Sequence, residues 1–162
     1  MLSHNFKIDA FFENVRLLQG EMQIVPLLYG SLGLEYLTKE NLGADDIDIL
    51  IPEIYLSEQW AAFRAMLERN GYCLIDEHEH TFVKNGISFS YARLEELEPF
   101  AGIYISDIPI LKANSIQFRL LTLDQYLKVY TASSKDGYRR DVKEKRDQEK
   151  IDLIRSQLGN AK

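Results

Sequence analysis

The stretch Leu27-Leu28-Tyr29-Gly30-Ser31, followed after fourteen residues by Asp46-Ile47-Asp48-Ile49-Leu50-Ile51, decides how this chain is read. Residues 24–29 form a short apolar run closed by Gly30. A run of that length suits a buried strand better than a helix, with Pro26 tolerated at its start. Ser31 then offers an N-cap for a helix over 31–41, with Gly43 as the stop. In the second segment successive side chains point to opposite faces of a strand. Asp46 and Asp48 therefore share one face, and Ile47, Ile49 and Ile51 turn to the core. Two carboxylates about 7 Å apart on one strand face repel each other unless a cation or hydrogen-bond donors lie between them. A hard cation such as Mg²⁺ takes a few carboxylates together with water and substrate phosphates, so this face suits it. Gly30 and Ser31 sit at a strand-to-helix turn, where backbone N–H groups and the helix dipole favour a phosphate. Both features belong at one end of adjacent strands and would face a common cleft.

Outward from this centre the pattern is mixed. Phe11, Val15, Leu18 and Met22 follow helical spacing, so residues 6–21 read as a helix. Ser57 caps a helix over 58–70 that Gly71 ends. Residues 72–75 read as a short strand with Cys73 buried in it. Asn85-Gly86 between the strand-like runs 80–84 and 87–93 is a strong hairpin signal. Residues 103–105, 108–112 and 116–120 read as further strands, with Asn114-Ser115 as a turn. Thr122 caps a helix to about 132, and a long last helix spans 138–158, apolar at Ile151, Ile154 and Leu158. This order describes an α/β (α+β) domain: a mixed β-sheet flanked by helices, with a helical C-terminal element. The expected organisation is a core over 1–121, with C-terminal helices over 122–162 packed on the same domain.

Composition narrows the function classes. The chain has 162 residues with 19 Lys and Arg against 25 Asp and Glu, a net charge of −6. That balance argues against general nucleic-acid binding through the whole surface. Seven basic and five acidic residues nevertheless crowd 135–150, a basic element on an acidic body. One cysteine cannot form an internal disulfide or a cysteine-rich zinc site, which fits a reducing, cytoplasmic setting. The N-terminal residues show no secretory pattern, and no stretch approaches the roughly 20 apolar residues of a membrane helix. His78 and His80 share a face but have no third partner at zinc-ligand spacing; they read as exposed polar residues of a hairpin mouth. Trp60 and Phe63 read as core.

An apolar strand ending in Gly30-Ser31, a helix, then Asp46-Ile47-Asp48-Ile49 on the next strand resembles the nucleotidyltransferase superfamily related to DNA polymerase beta. It is similar to a small bacterial branch holding minimal, aminoglycoside, lincosamide and abortive-infection nucleotidyltransferases. Lys128 on one late helix, then Arg140, Lys145, Arg146 and Asp147 on the next, resemble that branch's closing helices. The likeness spans roughly residues 27–158. It implies a nucleotidyltransferase fold and transfer of a nucleoside monophosphate from a nucleoside triphosphate to a hydroxyl on a small molecule, protein or RNA. It also implies Mg²⁺ or Mn²⁺ on Asp46 and Asp48, and triphosphate contacts from Gly30, Ser31, Lys128, Arg140 and Lys145. The branch adds a third carboxylate from a later strand. Here that strand carries Ser88 and Ser90, and Glu95, Glu96, Asp76 and Glu79 are the substitutes to weigh. The alternative is an inactive nucleotide-binding or regulatory domain, part of a toxin–antitoxin or defence pair. A protein partner or a second copy would then cover the cleft.

Overall fold

The computed structural model describes residues 5–134 and 140–160, the side chains of 140–147 and of 160 excepted. The chain divides into two compact units, Met1–Glu95 with Ile110–Leu120, and Glu96–Pro109 with Leu121–Lys162.

The first unit is built on one mixed sheet. Its strands are β1 (Leu27–Tyr29), β2 (Ile47–Ile51), β3 (Cys73–Asp76), β4 (Thr81–Lys84), β5 (Ile87–Arg93), β6 (Ile110–Ala113) and β7 (Ile116–Leu120). They lie in the order β3-β4-β5-β2-β1-β7-β6. β2 sits at the centre, antiparallel to β1 and parallel to β5. The helices of this unit are α1 (Phe6–Met22), α2 (Gly30–Thr38) and α3 (Trp60–Arg69).

Alternation along the strands separates two faces. Ile47, Ile49 and Ile51 are fully buried and share a core with Phe82 and Phe89, and with Phe11 of α1 and Phe63 of α3. Phe63 meets Tyr91 edge-on at 5.2 Å, and Phe11 meets Phe118 at 5.3 Å. The Tyr91 hydroxyl, buried in this core, accepts from Asn14 Nδ2 at 2.8 Å. Burial pushes the Tyr91 pKa well above its ordinary value, so it stays a neutral phenol that ties α1 to the sheet. The opposite face carries Asp48, Ser90 and Thr81, aligned across neighbouring strands.

Local signals explain most element ends. Asn5 caps α1 by accepting from the N–H groups of Lys7 and Ile8. Asn85-Gly86 and Asn114-Ser115 both adopt positive φ and close tight hairpins. Several expectations differ from the structure. α2 stops at Thr38 through a left-handed Lys39, well before Gly43. α3 begins at Trp60 without a side-chain cap, and Ser57 instead donates to the Glu53 carbonyl. Cys73 is exposed, because β3 is an edge strand and Cys73 shares the face of Val83, away from the core. Residues 103–105 are not a strand. Gly102 and Ile103 donate their N–H groups to Glu98 and Leu97 and close a short helix, leaving no ladder to join.

In the second unit α4 (Leu97–Ala101) precedes α5 (Leu123–Ser134) and α6 (Arg140–Asn160). Thr122 caps α5 reciprocally: Gln125 N–H donates to Thr122 Oγ1, and Thr122 N–H donates to Gln125 Oε1. Ile151 and Ile154 of α6 are buried as expected. Among the described residues no helix is long and apolar enough to cross a membrane.

The connection from α2 to β2 is held by one buried acid. Glu35 Oε2 accepts the N–H groups of Leu42 (3.1 Å) and Ala44 (2.8 Å). Removing it leaves two part-buried N–H donors without this acceptor. Glu35→Ala should lower unfolding free energy by about 2 kcal/mol, and Glu35→Gln, which keeps an accepting oxygen, should recover most of it. Urea unfolding of the three proteins checks this.

Candidate functional site

β1 and β2 pair so that Tyr29 lies opposite Asp48, which brings Gly30 against the Asp48 side chain. Gly30 has φ +66, a conformation that side chains resist. A Cβ at this position would sit 2.5 Å from Asp48 Oδ2 and 3.3 Å from its Cγ. Glycine is thus required twice, for its backbone angle and for the room it leaves the carboxylate. α2 starts at Gly30 itself, with Tyr29 as N-cap, whose side chain makes no capping bond. Ser31, expected as the cap, lies inside the first turn. The left-handed turn at Gly30 already opens α2, one residue before Ser31. The Ser31 hydroxyl is therefore not used as the N-cap of α2.

Asp48 is half-buried on β2, and Asp46 is exposed immediately before the strand begins. Asp48 lies on the face away from the isoleucines, whereas Asp46, expected on the same strand face, precedes the strand. The segment that delivers Asp46 is the one Glu35 holds by Leu42 and Ala44. Glu35 was not singled out from sequence, because a glutamate on a helix reads as solvated until its partners are known.

The register of β5 places Ser90 directly beside Asp48. Thr81 of β4 lies beside Ser90 in turn, and their hydroxyl oxygens are 2.8 Å apart. The carboxylates weighed as substitutes lie elsewhere. Glu95 stands beyond the far end of β5, accepting from Glu53 N–H at 2.9 Å. Asp76 lies three strands from β2, about 14 Å at ordinary strand spacing. Glu79 belongs to the exposed turn between β3 and β4, and Glu96 to the second unit. Among the described residues no three His, Cys, Asp or Glu side chains converge as a metal-ligand set. The donor set at Asp46 and Asp48 is nonetheless suited to Mg²⁺, which keeps several waters and needs one or two carboxylates plus phosphate oxygens.

Lys128 is exposed on α5 in the second unit. Arg140 and Lys145 occupy α6, and their side chains lie outside the described residues. His78 is exposed, and His80 packs edge-on against Trp60 at 4.8 Å, so the pair forms no cation site.

No protein-family model matches the chain. A solved relative in fold is the antibiotic-resistance factor ANT(2'')-Ia, an aminoglycoside nucleotidyltransferase. Its solution structure matches with a TM-score of 0.50 at 13% identity, over 98% of this chain and 94% of that one. A crystal structure of ANT(2")-Ia with adenylyl-2"-tobramycin matches with a TM-score of 0.49 at 12% identity, over 96% of this chain and 98% of that one. The mixed sheet and its helices are a nucleotidyltransferase-type fold. In sequence, the chain is 39% identical over 152 residues to the uncharacterized protein YnaI of Bacillus subtilis (strain 168), covering 94% of this chain and 97% of that protein. With that identity across nearly both full lengths, the chain belongs to the family of Bacillus subtilis YnaI.

Proposed function

We propose that the first unit binds a nucleoside triphosphate with a divalent cation and transfers its nucleoside monophosphate to an acceptor oxygen, releasing pyrophosphate. The observation that carries this reading is the fit of Gly30 against the Asp48 carboxylate at the start of α2. It would join a place for phosphate oxygens to a place for a cation. Asp46 and Asp48 would hold Mg²⁺ or Mn²⁺, and Gly30 and Ser31 would receive the triphosphate through backbone N–H and hydroxyl. Held there, the cation would supply neutralisation of the negative charge that develops on the transferring phosphate. The chain's own part is positional. The pairing of β1 with β2 would set the spacing between phosphate and carboxylate, and Glu35, which holds the segment before Asp46, would set its approach. The known chemistry of ANT(2'')-Ia supports the direction of this proposal and belongs to that protein. The acceptor class named from sequence is a hydroxyl on a small molecule, protein or RNA.

Ser90 beside Asp48 favours a second reading, a domain that binds nucleotide without turnover and acts through a protein partner. Turnover separates the two, since both require the nucleotide site.

Two results are expected. A nucleoside triphosphate with Mg²⁺ at 100 times its Kd should add about 2.7 kcal/mol, a rise of roughly 5–10 °C in Tm, and chelator or Asp46→Ala/Asp48→Ala should abolish it. Thermal-shift assays with each of the four triphosphates test this, and no metal-dependent rise with any of them contradicts it. Gly30→Ala should cost about 1–2 kcal/mol from the backbone angle alone. It should also weaken metal-dependent triphosphate binding more than tenfold by displacing Asp48, while Ser31→Ala weakens it only a few-fold. Calorimetric titration of both variants checks that order.

A further inference from the structure

Among the described residues the sheet ends in two edge strands, β3 and β6. An edge presents backbone N–H and C=O groups that another strand can pair with, and proteins block such edges with lysine or proline. β6 is blocked in this way: Pro109 precedes it, and the exposed Lys112 stands within it. β3 has no lysine or proline, and its one charge, Asp76, stands at its last residue. Cys73 is exposed, and Ile75 is 58% exposed.

The hairpin register shows which backbone groups of β3 face outward. Lys84 and Ile87 flank the two-residue Asn85-Gly86 turn, so they form a hydrogen-bonded pair. Bonding alternates along an antiparallel pair, so the backbone of Phe82 also turns to β5 and that of Val83 turns to β3. Cys73, opposite Val83, therefore bonds to β4. Leu74, opposite Phe82, directs its N–H and C=O to the open edge. The Cys73 thiol makes a weak contact with that carbonyl at 3.9 Å.

The two ends of this edge carry opposite charge. Arg69, with 63% of its side chain exposed, closes α3 just before β3. The turn that follows β3 carries Glu77 and Glu79, each 68% exposed. Within the chain Arg69 reaches Glu21 at 3.4 Å and Glu77 reaches Arg64 at 4.0 Å, exposed pairs that hold their side chains weakly. A strand that pairs antiparallel here has to bring a basic end to the acidic turn and an acidic end to Arg69. β3 of a second copy does both. We propose that two copies of the chain pair antiparallel through β3, about a two-fold axis at Leu74. Leu74 then exchanges two backbone hydrogen bonds with its counterpart, and Cys73 lies opposite Ile75 of the second copy. The interface is isologous, with the same residues on both sides. The ladder to β4 shifts after Leu74, so the pairable edge is short. The dimer is accordingly weak and reversible, at the low end of interface size. β3 lies three strands from β2, so the pairing is independent of the nucleotide reading.

Sedimentation velocity from micromolar to millimolar concentration, with cross-linking of the native Cys73 by an ethane-bridged bismaleimide, tests this. Across the pair the two Cys73 residues are diagonal neighbours, about 7–8 Å apart, too far for a direct disulfide and within reach of the reagent. A monomer–dimer equilibrium is expected, with covalent dimer growing in step. Ile75→Lys puts a lysine on the edge and should weaken association about tenfold at an unchanged urea midpoint. Glu77→Lys/Glu79→Lys should weaken it by about as much at low salt, and adding Arg69→Glu should restore it. If Ile75→Lys shifts the urea midpoint, the charge reversal and its rescue decide. A wild type that stays monomeric throughout and yields no cross-linked dimer overturns the proposal. So does a dimer that persists in a folded Ile75→Lys, or a charge-reversed protein that Arg69→Glu does not rescue.

Discussion

The contact between Gly30 and the Asp48 carboxylate is the constraint on which the rest of the candidate site depends. It requires β1 and β2 to pair with Tyr29 opposite Asp48, so that the last strand residue delivers the glycine to the acid. It requires a positive φ at Gly30, which turns the chain at once into α2. It also requires Asp48 to point away from Ile47 and Ile49, which the alternation of a strand enforces once those isoleucines are in the core. A one-residue slip of β2 would bury the acid and expose the isoleucines. The apolar core thus sets the position of a polar site it never touches.

Around that contact the chain supplies rigidity from both sides of the sheet. On the core side, Asn14 and Tyr91 join α1 to β5, and aromatic rings meet edge-on across α3 and the sheet. On the connection from α2 to β2, Glu35 replaces what would be a loose loop with two hydrogen bonds to its carboxylate. Preorganisation of this kind lowers the cost of ordering a site when ligand arrives.

Much of this was legible in the sequence, for reasons that differ by element. β5 and β7 were placed to the residue, because Asn85-Gly86 and Asn114-Ser115 mark their turns and their alternation is clean. The division of Asp48 from its isoleucine neighbours followed from period two alone. What could not be read was tertiary. Ser57 and Ser31 look like caps locally, yet neighbouring turns set the helix starts elsewhere. Cys73 has an apolar neighbourhood in sequence but falls on the outer face of an edge strand, a position that only sheet order decides. Glu35 and Thr81 gain meaning from partners seven to nine residues distant, through a loop and across a hairpin. The pairing of Ser90, rather than Ser88, with Asp48 depends on strand register, which spacing does not specify.

The central claim is that Gly30, Asp48 and their neighbours hold one cation and one triphosphate together. Backbone amide spectra recorded with trace Mn²⁺ and a non-hydrolysable triphosphate test it most directly, because a paramagnetic ion broadens the signals nearest to it. The account predicts broadening concentrated at Gly30, Ser31, Asp46, Asp48 and Ser90, dependent on nucleotide and absent in Asp48→Asn. Broadening centred instead on the exposed acids of the β3–β4 turn, or unchanged in Asp48→Asn, would contradict it.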